Sequence, residues 1–185
     1  MSLDRDEKRF GLLCYIFKNL EKEYPYFGRI IIQKIVYFLQ HHYNVKFPYA
    51  FTFYHYGPYS KELDSDLATM DIYGLIELGA DPKGRGYSVT PKPEKMATYL
   101  DKASDVVKEN KERIRDAVGK LAGFSPRLLE LLATIHWVKS TRLANAKMDQ
   151  QQKKFLFTKV RSLKPSFTDA QIANSYEKLV DSNLI

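Results

Sequence analysis

The sequence predicts a mainly helical α+β chain, a winged-helix-like module followed by C-terminal helices. Three observations carry this. The stretch Phe51–Glu77, FTFYHYGPYSKELDSDLATMDIYGLIE, opens with β-prone aromatics, crosses Gly57-Pro58 and continues as an amphipathic helix. Strongly apolar helical segments stand on both sides of it. A Pro/Gly-rich turn, Gly79 to Gly86, separates two short β-prone runs and reads as a wing.

Asp4 to Glu23 reads as the first helix, with Phe10, Leu13, Cys14, Phe17 and Leu20 on one face. Tyr24-Pro25-Tyr26 breaks it. The second helix runs from Gly28 or Arg29 to Tyr43. Ile31, Ile32, Ile35, Val36, Phe38 and Leu39 cover so much of its surface that it belongs at the centre of the core. Residues 51–56 are expected as one strand, ended by Gly57-Pro58. Pro58, with fixed φ and no N–H, suits the first turn of the next helix. That helix buries Leu63, Leu67 and Met70, and Gly74 stops it. Leu75–Leu78 is expected to pair with Gly86–Thr90.

Glu94 to Leu121 reads as one long helix. Met96, Leu100, Ala103, Val107, Asn110, Ile114, Ala117 and Leu121 form a heptad-like seam, open to packing within the chain or to a homodimer through helix 94–121. Ser125 caps a helix Pro126–Lys139, residues 139–152 read as a loop, and a helix follows over 153–162. Thr168 with Gln171 predicts a capping box for a last helix, Asp169–Ser182. The natural division is 1–93 and 94–185, which can also pack together.

At 185 residues with 44% hydrophobic and 14% aromatic content, the chain can build a core. No apolar run is long enough for a membrane span. The N-terminus, MSLDRDEKRF, is too polar for a signal peptide, so a cytoplasmic location is expected. The net charge of +7 is spread thinly. Between Phe51 and Gly74 one lysine faces four carboxylates, so the helix that would read DNA is expected to be acidic.

Two runs carry a resemblance: Gln33-Lys34-Ile35-Val36-Tyr37-Phe38-Leu39-Gln40 and Tyr54-His-Tyr-Gly-Pro-Tyr-Ser-Lys-Glu-Leu63. Together they are similar to the SocA/Panacea family, and most to its YwgA-like branch. The resemblance covers about residues 27 to 90. It implies an antitoxin-like or adaptor protein that binds other proteins. Family members often carry Trp before the Gly-Pro, where this chain has Tyr54 and Tyr56.

Catalytic groups are not expected. Cys14 sits among Leu12, Leu13, Ile16 and Phe17, where burial makes a thiol inert. His41 and His42 diverge by about 100° on a helix, and no metal-ligand spacing links them to His55 or His136. Gly84-Arg85-Gly86 lacks the residues of a phosphate loop. No cofactor or metal is expected.

Two functions remain. The first is protein binding, antitoxin-like or proteolytic-adaptor-like, with a toxin or a protease substrate as partner. Its candidate residues are Tyr54, Tyr56, Tyr59, Lys61, Asp64 and Asp66, because Tyr favours interface cores and the aspartates promise an acidic face. The second is a winged-helix DNA-binding regulator using Lys83, Arg85, Lys92 and Lys95 on phosphates.

Overall fold

The computed structural model describes residues 2–24, 27–80, 87–144 and 146–185. In chain order they form α1 (Ser2–Glu23), α2 (Arg29–His41), β1 (Thr52–Tyr54), β2 (Gly57–Tyr59) and α3 (Lys61–Ile72). Then come β3 (Ile76–Ala80), β4 (Tyr87–Pro91), α4 (Pro93–Lys102), α5 (Ser104–Leu121), α6 (Pro126–Arg142), α7 (Gln150–Leu163) and α8 (Asp169–Asp181). The fold is mainly helical with two two-stranded antiparallel sheets, β1–β2 and β3–β4.

Every residue of α2 from Ile31 to Leu39 is buried, including Gln33 and Lys34. A helix apolar nearly all round must be covered nearly all round. Here α5, α6, β2 and β4 do the covering. On the other side α1 packs on α4 and α5, while α6 packs on α7 and α8. One cluster of buried apolar side chains runs from Phe10 to Leu184 and crosses the 93/94 boundary.

The caps read from sequence are in place. Ser125 accepts from the Leu128 N–H with Pro126 at the first helical position, and Thr168 and Gln171 close a reciprocal capping box. The wing forms from β3 and β4, with Leu78 opposite Val89. No helix among the described residues is long and apolar enough to cross a membrane.

Three expectations are corrected. First, Pro58 does not begin a helix. It lies in β2 opposite Phe53, and the helix starts three residues later behind Ser60, whose hydroxyl caps the Leu63 N–H. The Gly57-Pro58 pair therefore serves a hairpin. Gly57 adopts φ +83°, a left-handed conformation that glycine takes without strain.

Second, residues 94–121 are two helices, not one. The chain turns at Ala103, where α1 crosses at Gly11. A Cβ on Gly11 would lie 2.2 Å from the Tyr99 carbonyl and 2.4 Å from the Ala103 Cβ. A close crossing, rather than a helix-breaking residue, sets this boundary.

Third, of the two packings open to the heptad-like seam, the structure shows the one within the chain, with Leu100 and Val107 half-buried. Met96, Ala103, Asn110, Ile114, Ala117 and Leu121 are buried within the chain, where α4 and α5 lie on α1 and α5 on α2.

Candidate functional site

The site is built on the β1–β2 hairpin, which holds Tyr54 and Tyr56 out from the surface at 58% and 60% exposure. A two-stranded hairpin is marginal by itself. This one is anchored from beneath by polar groups that belong to helices far away in sequence.

Lys34, 1% exposed, reaches out of α2 and donates to the Pro58 carbonyl at 2.7 Å. Its neighbour Gln33 forms two bonds with Ser60, donating to the carbonyl and accepting from the N–H, each at 2.9 Å. Lys164, also buried, donates to the His55 carbonyl and pairs with Glu130 at 2.6 Å. Its ammonium stands 5.6 Å from the Phe53 ring centroid. From α6, Thr134 closes against Gly57, where a Cβ would meet its Oγ1 at 3.0 Å. The carbonyls at both ends of the turn are thus held by ammonium groups.

Charges in such a place are costly unless matched. Glu130 pairs directly with Lys164 and acts on Lys34 only through its charge. Burial pushes the Lys34 ammonium down to about 7, with Glu130 opposing that fall and Lys164 adding to it.

Above the anchor runs a chain of contacts along the surface. The Tyr54 and Tyr59 rings lie 5.8 Å apart. Burial, then the adjacent Asp64 carboxylate, raises the Tyr59 hydroxyl above its usual range. Asp64 accepts from Arg29 at 3.0 Å, and the Arg29 guanidinium sits 5.3 Å from the centroid of Tyr87 in the wing. Tyr87 is 65% exposed. Tyr54, Tyr59 and Tyr87 thus form one strip, tied together by an Arg–Asp pair.

The aspartates occupy other roles than the expected acidic face. Asp66 accepts a two-point bond from Arg9, at 2.6 and 3.0 Å, and a third bond from the Tyr49 hydroxyl at 2.8 Å. Asp71 accepts from the Leu78 N–H at 2.9 Å. Asp64 is taken by Arg29. Each carboxylate of α3 except Glu62 points to a partner on a neighbouring element. The solvent-facing side of α3 shows Lys61, Glu62, Ser65, Ala68 and Ile72, with one charge of each sign. Of the six protein-binding candidates, Tyr54, Tyr56 and Lys61 are exposed, Tyr59 and Asp64 belong to the strip, and Asp66 is structural.

Among the nucleic-acid candidates, Lys83 and Arg85 lie outside the described residues. Lys92 is paired with Glu77 across the wing, and Lys95 is exposed in the first turn of α4. The exposed face of α3 offers a DNA phosphate backbone one cation, Lys61, beside one carboxylate, Glu62.

Two further titratable candidates, Cys14 and His136, are buried. Burial raises the Cys14 thiol to about 12, which keeps it protonated and unreactive. His136 is buried with Nδ1 2.8 Å from the Tyr37 hydroxyl, and burial depresses it to about 3. Among the described residues no three His, Cys, Asp or Glu side chains converge as a metal site.

Sequence reasoning missed Lys34, Glu130, Lys164 and Arg29. For Lys34 a signal existed: a Gln-Lys pair in the middle of Ile-Ile-Ile-Gln-Lys-Ile-Val-Tyr-Phe-Leu is out of place unless its polar atoms have partners. For Glu130 and Lys164 there was none, since their meeting is a product of the tertiary fold. No family model matches the chain, and no curated protein does so either.

Proposed function

We propose that the chain is a non-catalytic protein-binding module, and that its docking surface is the strip formed by Tyr54, Tyr59 and Tyr87 around Arg29, together with the exposed Tyr56 on the adjoining hairpin turn. The observation that carries this reading is the exposure of Tyr54 and Tyr56, each more than half open on a hairpin fixed by buried lysines, with the equally open Tyr87 of the wing beside Arg29. Tyr and Arg dominate interface hot spots because each brings large area and a polar end. A surface that is already rigid gives up little entropy on binding, which raises the affinity obtained from a given area. The role fits an antitoxin-like or adaptor-like protein, with a toxin or a protease substrate on the strip.

Co-purification from the source cell tests this, with partner recovery quantified by mass spectrometry. Tyr54→Ala with Tyr87→Ala is expected to lose at least about 2 kcal/mol of binding, a thirtyfold fall in recovery at limiting concentration. Asp66→Asn, outside the strip, is expected to keep the partner at a temperature where the variant is folded. Equal recovery by the double tyrosine variant and the wild type contradicts the proposal.

A further inference from the structure

A groove of about 890 Å³ opens on a part of the molecule that the strip does not use. Its walls are α1 and α5, and its third side is the loop 44–50 between α2 and β1. Leu12, Phe47, Pro48 and Val106 make an apolar floor. Phe47 is held in place by stacking on Tyr49, with centroids 5.4 Å apart. Four cations line the groove, Arg5, Lys8, Arg9 and Lys46, against two carboxylates, Asp6 and Glu109.

The four cations are not equivalent. Lys8 is paired with Asp105, and Arg9 with Asp6 and Asp66. Arg5 and Lys46 are exposed, and among the described residues neither has an ion-pair partner. They belong to different walls, Arg5 to α1 and Lys46 to the loop. On α5, Glu109 is exposed and also without an ion-pair partner among the described residues, so the unmatched charge is positive on the α1 and loop lips and negative on α5. An apolar floor between the two positive lips is complementary to a ligand with an apolar face and acidic groups on those two sides.

We propose that this groove docks an acidic amphipathic helix of a protein partner. Helical walls with an apolar floor suit the apolar stripe of a helix, whose residues recur at three- and four-residue spacing. The acidic positions beside that stripe then fall against Arg5 and Lys46. A nucleic acid backbone would leave the apolar floor unused. The groove and the tyrosine strip share no residue, so each can be right without the other.

The test is fluorescence anisotropy with the full chain and a short labelled peptide carrying leucine and phenylalanine on one helical face and glutamate on the other. Two controls replace every glutamate by lysine, or place a proline at the centre. The glutamate peptide is expected to bind, and both controls to bind at least about tenfold more weakly, since like charges and a broken helix each remove the fit. Arg5→Glu with Lys46→Glu is expected to weaken the glutamate peptide by at least about tenfold and to strengthen the lysine peptide. Both residues are exposed and have no ion-pair partner among the described residues, and an unchanged melting curve checks that this variant folds. The variant Tyr54→Ala with Tyr87→Ala is expected to bind the peptide as the wild type does.

Equal binding of the two charged peptides overturns the proposal, as does an affinity untouched by the charge reversal. Absence of peptide binding overturns it too. If decanoate binds where the glutamate peptide does not, the groove is a small-carboxylate site instead.

Discussion

The carboxylates of α3 and the lysines beneath the hairpin invite opposite expectations, and the structure exchanges them. Asp64, Asp66 and Asp71 sit on the polar side of an amphipathic helix, where solvated charge is the ordinary outcome. Yet Asp66 is pinned by Arg9 and Tyr49, and Asp64 by Arg29. Lys34 and Lys164 are the side chains most expected in water, and both are buried with their ammonium groups on backbone carbonyls. The field a surface presents follows from pairing across elements, and counting charges along one helix does not give it. The α3 carboxylates tie α1, α2 and the wing to α3. The lysines hold up the hairpin that carries the exposed tyrosines.

This contrast can be broken by substitution. The largest effect is expected at Glu130. Glu130→Leu leaves Lys34 and Lys164 facing each other in the interior, and breaking a buried pair by removing one partner costs about 3–5 kcal/mol. Urea denaturation should show that loss, and a loss below about 1 kcal/mol would mean that the lysines rearrange into solvent.

The pH dependence comes next. Lys34 is held near 7 in the folded chain against 10.5 when free. Between those values the unfolded chain binds the extra proton, so stability rises with pH. The cost of burying the ammonium is fully present below pH 7. Above pH 10 the trend reverses. Tyr37 and Tyr49 are buried with hydroxyls pushed well above the ordinary 10, and they stay protonated while the unfolded chain ionises. Stability is therefore expected to climb from pH 7 to about 9, by up to about 3 kcal/mol, and then to level off, because the buried Cys14 thiol stays protonated while the unfolded one ionises. Lys34→Met should flatten that climb in urea titrations across the range.

Asp66→Asn is expected to cost about 2 kcal/mol, between the values for exposed and buried pairs, because its carboxylate is mostly shielded and accepts three bonds. Asp64→Asn, in a more open pair, should cost under about 1 kcal/mol. If the two cost the same, the ranking by burial fails. Smallest of all, Tyr56→Ala should leave stability within about 0.5 kcal/mol, since its ring stands in solvent.

Ser125-Pro126 and Thr168–Gln171 were readable because a cap is satisfied by atoms three residues away. The central position of α2 was readable from its apolar coverage. The β1–β2 hairpin was not, because Gly57-Pro58 suits a helix start as well as a turn. What decides it is Thr134 and Lys34 closing on Gly57 and Pro58. The turn at Ala103 was hidden for a similar reason, since its cause is Gly11 on another helix. Of the candidate site, Tyr54, Tyr56 and Tyr59 could be named from the sequence, whereas Tyr87 was not, Asp66 is held by Arg9 and Tyr49 instead of facing solvent, and the anchor was invisible apart from Lys34.

The most direct test is site-specific photocrosslinking in the source cell, with p-benzoylphenylalanine placed in turn at positions 56, 87 and 155. Position 155, on α7, is a control with an exposed aromatic outside the strip. A single protein crosslinked from both 56 and 87 and absent from 155 is the expected result. Crosslinks to no protein, or to the same proteins from all three positions, would contradict the claim that the tyrosine strip is the working surface of this molecule.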